Sequence, residues 1–123
     1  MPVPILRQGR TLVASVRAAL TDSEWNAFRD ALMQRISQAR ATGVIVDVSA
    51  MDVMDSYASR SLQSLAMMTQ LRGAITVVVG IQPDVAYAMA RLGLALPHVR
   101  CALDLDDAFE VLHRHANSRG VHG

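Results

Sequence analysis

Apolar residues in this chain fall into two kinds of stretch, short continuous runs and longer segments repeating every three or four residues, and the two kinds alternate. Val3 to Leu6 and Thr11 to Val16 are β-rich and flank Gln8-Gly9-Arg10, which predicts two strands joined by a tight bend. Thr21 and Glu24 stand at the spacing of a capping box, where each side chain bonds the other residue's backbone N–H at a helix start. Behind them Trp25, Phe28, Leu32, Ile36 and Ala39 share one helical face, so a helix is expected to run to about Ala41 and to end at Gly43.

Val44 to Val48, broken only by Asp47, has the pattern of a strand covered on both faces. Ala58, Leu62, Leu65, Ala66 and Thr69 form the next inward helical stripe, closed by Gly73. Ala74 to Val79 is the most strand-like run in the chain. Pro83 in a first turn opens a third helix through Val85, Ala86, Met89, Ala90 and Leu92, ending at Gly93. A short strand near Val99-Arg100-Cys101 and a last helix from about Leu105 to His115 complete the order β, β, α, β, α, β, α, β, α. Such alternation predicts an α/β fold with a mainly parallel central sheet, an N-terminal hairpin and about four flanking helices. Residues 1–116 are expected to form a single domain, and 117–123 a flexible tail.

Composition narrows the chemistry. Of 123 residues, 51% are hydrophobic but only 4% aromatic, as suits helices packed on a sheet with aliphatic side chains at the contact. All 12 basic residues are Arg, so a Schiff-base lysine and a P-loop lysine are both excluded. Net charge is +1 with the arginines scattered, which points to neither nucleic acid nor a membrane surface. The single cysteine, Cys101, cannot form an internal disulfide and is read as a small core residue of its strand. With no secretory signal and no apolar run of the roughly 20 residues that cross a bilayer, a cytoplasmic protein is expected. His113, His115 and His122 have no recognisable zinc spacing, no Gly-x-Ser-x-Gly elbow is present, and neither metal, cofactor nor enzymatic activity is expected.

Chemistry of another kind gathers at Met51-Asp52-Val53-Met54-Asp55-Ser56-Tyr57, between a buried strand and an amphipathic helix. In open parallel sheets, function collects beyond the carboxyl ends of the strands, and Asp55-Ser56 lies at such an end. Ser56 at a helix start admits two readings, an N-cap or a phosphoryl switch favoured by the helix dipole, and this stretch alone does not choose between them. Gln82, in the strand-to-helix turn Gly80-Ile81-Gln82-Pro83, has an amide able to reach a partner or a neighbouring turn. Met67 and Met68 cannot both be buried equally, which leaves either a core role or a protein-binding surface open.

Taken together, Gly43-Val44-Ile45-Val46-Asp47-Val48-Ser49, Met54-Asp55-Ser56-Tyr57, Val79-Gly80-Ile81-Gln82-Pro83-Asp84-Val85-Ala86 and Leu92-Gly93-Leu94-Ala95-Leu96 resemble the STAS domain family of anti-sigma-factor antagonists, and within it the RsbS-type scaffolds of the bacterial stressosome. Pro4-Ile5-Leu6 and Ala102-Leu103-Asp104-Leu105 extend the likeness over residues 2–115. The resemblance implies a non-enzymatic scaffold that sequesters a serine kinase of the RsbT type, is phosphorylated by it on Ser56, and then releases it. It further implies RsbR-like paralogues carrying sensor domains, a PP2C-type phosphatase that resets the switch, and a homo-oligomer or large hetero-assembly; the alternatives within the family are a simpler anti-sigma-factor antagonist outside a large assembly and a small-ligand-binding STAS module, for which the sequence shows no polar-lined pocket. Asp52, Asp55, Tyr57, Gln82, Met67 and Met68 are the expected neighbours of the switch and partner contacts. Val79 stands where many relatives carry a second acceptor threonine, so a second switch is excluded there, and Tyr57 replaces an expected Phe.

Overall fold

A computed structural model of the chain describes residues 3–51, 55–91 and 99–122. Its elements are β1 (Ile5–Gln8), β2 (Thr11–Ser15), α1 (Asp22–Ala39), β3 (Gly43–Asp47), α2 (Ser56–Leu71), β4 (Ile75–Val79), α3 (Pro83–Arg91), β5 (Arg100–Ala102) and α4 (Leu105–His122), in the order the sequence predicts. The strands form one sheet in the order β1-β2-β3-β4-β5. The β1–β2 hairpin is antiparallel and turns at Gly9, whose φ of 61° suits glycine. The other three pairings are parallel, with Leu12 opposite Val44 and Val44 opposite Thr76.

Two apolar layers sandwich this sheet. Val44, Val46 and Val48 point to one side, where Trp25, Phe28, Leu32 and Ile36 of α1 and Ala58, Leu62 and Leu65 of α2 meet them. Ile45, Val77 and Val79 point to the other, under Ala108, Phe109 and Leu112 of α4. Alternate side chains of β3 thus serve different cores, which is why Val44, Ile45 and Val46 are apolar without alternation. Each fully buried Leu or Val contributes about 1.5–3 kcal/mol by leaving water.

Most helix boundaries follow local chemistry. Thr21 and Glu24 form the capping box in full, and the bonds from the Thr21 backbone and side chain hold the Glu24 carboxyl below its usual range. Two helix ends and one burial differ from the sequence reading. α1 ends at Ala39 on a left-handed Arg40 (φ 50°), whose N–H bonds the Ile36 carbonyl, so Gly43 is free to open β3. There Gly43 lies so close to Leu112 that an added Cβ would stand 2.8 Å from its Cδ1. α4 continues to His122, past the expected end at His115. Cys101, expected in the core, is exposed on β5, the last strand of the sheet among the described residues. Partial desolvation nevertheless raises its thiol pKa, which disfavours the reactive thiolate. The expected end of α3 at Gly93, with Leu92 and the run to Leu96, lies outside the described residues.

One buried polar pair fastens α2 to β4. The Thr69 and Thr76 hydroxyls are 2.6 Å apart, and Thr69 Oγ1 also donates to the Ala66 carbonyl at 2.9 Å. Thr69 has one proton, so Thr76 must be the donor between the two. Thr69→Val therefore strands a buried donor and costs about 1–3 kcal/mol, whereas Thr76→Val leaves Thr69 its proton acceptor and costs about 1 kcal/mol. Urea unfolding of the two variants should show that order, and the reverse order would assign the proton wrongly.

Candidate functional site at the carboxyl ends of β3 and β4

The site is assembled where β3 and β4 end. Asp47, the last residue of β3, accepts from both the N–H (2.9 Å) and the hydroxyl (2.5 Å) of Ser49, closing a tight turn. Alongside, the Val48 N–H donates to the Val79 carbonyl and the Met51 N–H to the Val48 carbonyl, each at 2.9 Å. Met51 is buried and pins the outgoing chain to the main core. From the neighbouring strand end, Gly80 meets this turn with φ 87°, and a Cβ placed on it would lie 1.9 Å from Ser49 Oγ and 2.9 Å from Ser49 Cα. Gln82 Nε2 reaches the Ser49 carbonyl at 3.4 Å, so the amide singled out in the sequence links the two strand ends.

At the start of α2 the capping question is answered by Asp55. Its backbone is extended and its carboxylate accepts from the Ala58 N–H at 2.8 Å, which makes it the N-cap. Ser56 is therefore the first helical residue, exposed, and its hydroxyl has no hydrogen-bond partner among the described residues. With the capping role taken, the serine oxygen is left free beside the positive end of a 16-residue helix. The nearby serines are less available. Ser59 is 2% exposed and its hydroxyl has no partner among the described residues, Ser61 is half-buried, and Ser64, though exposed, lies about two turns into the helix.

The remaining singled-out residues divide. Tyr57 is 42% exposed and, with Arg60, Ser61 and Ser64, forms one wall of a cleft of about 290 Å³ whose other wall is Trp25, Asn26 and Arg29 of α1. Met67 is 49% exposed, and the adjacent Met68 is partly buried against the main core. Asp52 lies outside the described residues, as does Met54. The Asp47–Ser49 turn and its contact with Gly80 escaped the sequence reading, although Asp-x-Ser at a strand end and a glycine opening the next turn were both visible. Among the described residues no three His, Cys, Asp or Glu side chains are grouped to hold a metal, and no helix is long and apolar enough to cross a membrane.

This geometry fits what comparison with known proteins returns. The STAS domain model matches residues 3–108, and the chain belongs to that family. Its structure superposes on a Ser-to-Glu variant of RsbS from Moorella thermoacetica with a TM-score of 0.79 and 29% identity, over 94% of this chain and 97% of that one. A chain from the molecular architecture of the stressosome, described as a signal integration and transduction hub, matches with a TM-score of 0.78 and 30% identity, over 92% of this chain and 98% of its own. The unphosphorylated anti-sigma factor antagonist SpoIIAA shares the fold at 18% identity, with a TM-score of 0.65 over 94% of this chain and 96% of that one. An uncharacterized Bacillus subtilis protein, YezB, is 33% identical over 60 residues, a match spanning 49% of this chain and 61% of YezB.

The Gly80–Ser49 approach makes a direct prediction. Gly80→Ala combines a left-handed backbone, which costs a side chain about 1–2 kcal/mol, with a clash against backbone atoms that cannot rotate away. The midpoint of urea unfolding should fall by an amount equivalent to at least about 2 kcal/mol at unchanged slope. A wild-type midpoint would mean that the two turns are not held in contact.

Proposed function

We propose that this chain is a non-enzymatic scaffold and phosphorylatable antagonist, which holds a serine kinase of the RsbT type in a stressosome-type assembly and releases it when Ser56 is phosphorylated. The observation that carries this reading is the division of labour at α2: Asp55 caps the helix, and the exposed Ser56 hydroxyl is left without a structural task. A residue kept at a helix start for capping would be using its oxygen. The likeness to RsbS and to a stressosome chain at about 30% identity, over nearly the full length of each, supports a scaffold of that assembly over a one-to-one anti-sigma antagonist of the SpoIIAA kind, with which only the fold is shared. RsbR-like STAS paralogues and a PP2C-type phosphatase are the further partners of this reading, and the cytoplasm is its compartment.

Phosphorylation would act through charge at a surface already built. A phosphoserine carries roughly −1.5 to −2 charges at neutral pH, and the Asp55 carboxylate beside it adds to the negative field. Where a kinase covers Ser56, Tyr57 and the strand-end turn with Gln82, that charge loses water on binding. A penalty of ~3–4 kcal/mol weakens such a complex a few hundred-fold or more. The exposed Met67 thioether on the same helix offers soft apolar area to a neighbour in the assembly.

The test uses the RsbT-type kinase of the same organism with ATP. Wild-type protein should incorporate phosphate at Ser56 and Ser56→Ala should incorporate none, since Ser59 is buried and Ser61 and Ser64 lie more than a turn into the helix, away from its start. Labelling of Ser56→Ala equal to wild type would overturn the assignment. Ser56→Asp, which the helix dipole tolerates, should keep the wild-type circular dichroism and bind the kinase at least about tenfold more weakly.

A further inference from the structure

At the opposite pole of the sheet, beyond the amino ends of β2 and β3, lies a cavity of about 620 Å³ that the switch does not use. Its volume is in the range of roughly 300–1,000 Å³ typical of small-molecule sites. Three segments distant in sequence converge on it: the β1–β2 turn through Arg10, the entry to β3 through Thr42 and Gly43, and α4 through Phe109, Leu112, His113 and His115. The closeness of Gly43 to Leu112 shapes the floor, because any side chain at 43 would displace that leucine.

The polar groups around this apolar floor are of one kind. Arg10 donates through Nε to the Arg40 carbonyl at 3.1 Å, the carbonyl of the left-handed residue that ends α1. That bond fixes the plane of the guanidinium and leaves its two terminal nitrogens without a partner among the described residues. The Thr42 and Gly43 N–H groups bond the Arg10 carbonyl at 2.8 and 3.3 Å, so the backbone on both sides is tied as well. His113 stands 3.1 Å from the Asn117 amide nitrogen; with that amide donating, His113 Nε2 accepts and Nδ1 carries the proton. No Asp or Glu lines the cavity. The Arg10 guanidinium, the threonine hydroxyls and the His113 ring beside Phe109 and Leu112 match a ligand with one anionic end and an apolar body.

We propose that this cavity is a second site, for a small amphiphilic organic anion, a carboxylate or phosphate ester with an aryl or alkyl body. Arg10 holds the anionic end and Phe109 and Leu112 accept the body. Because the cavity and Ser56 lie at opposite ends of β3, the proposal does not depend on Ser56 being a phosphoacceptor.

The test is a titration of the full chain with 4-fluorophenylacetate followed by fluorine NMR, alongside uncharged 4-fluorobenzyl alcohol. Saturable binding of the acid, at least tenfold weaker binding of the alcohol, and at least tenfold loss in Arg10→Gln are expected. Ala116→Trp, on the exposed side of α4 at the cavity wall, should block binding without disturbing the core. Thermal melts of both variants separate lost binding from lost fold. Failure of the acid to saturate by roughly 10 mM, equal binding of acid and alcohol, or wild-type binding in a folded Arg10→Gln would each overturn the proposal.

Discussion

Everything at the proposed switch depends on how closely Gly80 approaches Ser49. Parallel neighbours β3 and β4 end side by side, and their outgoing chains must diverge into different helices without separating at the root. A glycine with positive φ lets one turn press against the other, and the Asp47 carboxylate holds Ser49 in the shape that fits. Gln82 adds a bond to the Ser49 carbonyl from the far side. The root of the β3–α2 connection is thus held as far as Met51, which is buried in the main core. A phosphoryl switch needs such definition, because a charge works against a partner only where it is presented at a fixed place.

On the proposed reading, a phosphoryl group at Ser56 acts without refolding the domain. The side chains behind Ser56, namely Ala58, Leu62 and Leu65, belong to the main core and are out of reach of the hydroxyl at the helix start. Adding a phosphoryl group disturbs none of their packing. On that reading its cost would arise only when a partner strips water from it, so the energy of the proposed switch would reside in the interface and leave the stability of the domain nearly untouched.

The sequence was most legible where a single face or a single cap decides the structure. The stripes of α1 and α2 match the buried residues, the Thr21–Glu24 box forms, and the β/α order is as expected. Legibility failed where two distant segments share one position. Gly43 was read as a helix stop because its true constraint, Leu112 of α4, lies far along the chain. Cys101 was read as core because its three-residue strand has the composition of an inner one. At the candidate site Ser56 was visible, but that Asp55 and not Ser56 caps the helix needed the Asp55 bond to Ala58, and the Ser49–Gly80 contact needed both strand ends in space. The cavity at Arg10 was invisible for the same reason, since its three walls meet only in the folded chain.

The central claim is that phosphorylation changes a charge on a preformed surface. The most direct measurement is a residue-by-residue comparison of amide chemical shifts and hydrogen exchange between unmodified protein and protein stoichiometrically phosphorylated at Ser56. Changes confined to the first turn of α2, the Asp47–Ser49 turn and the Gly80–Gln82 turn, with core amides of β3 and β4 exchanging at unchanged rates, are the predicted result. Altered shifts and faster exchange through Val44–Val46 and Val77–Val79 would contradict the account, because the modification would then be acting by loosening the fold.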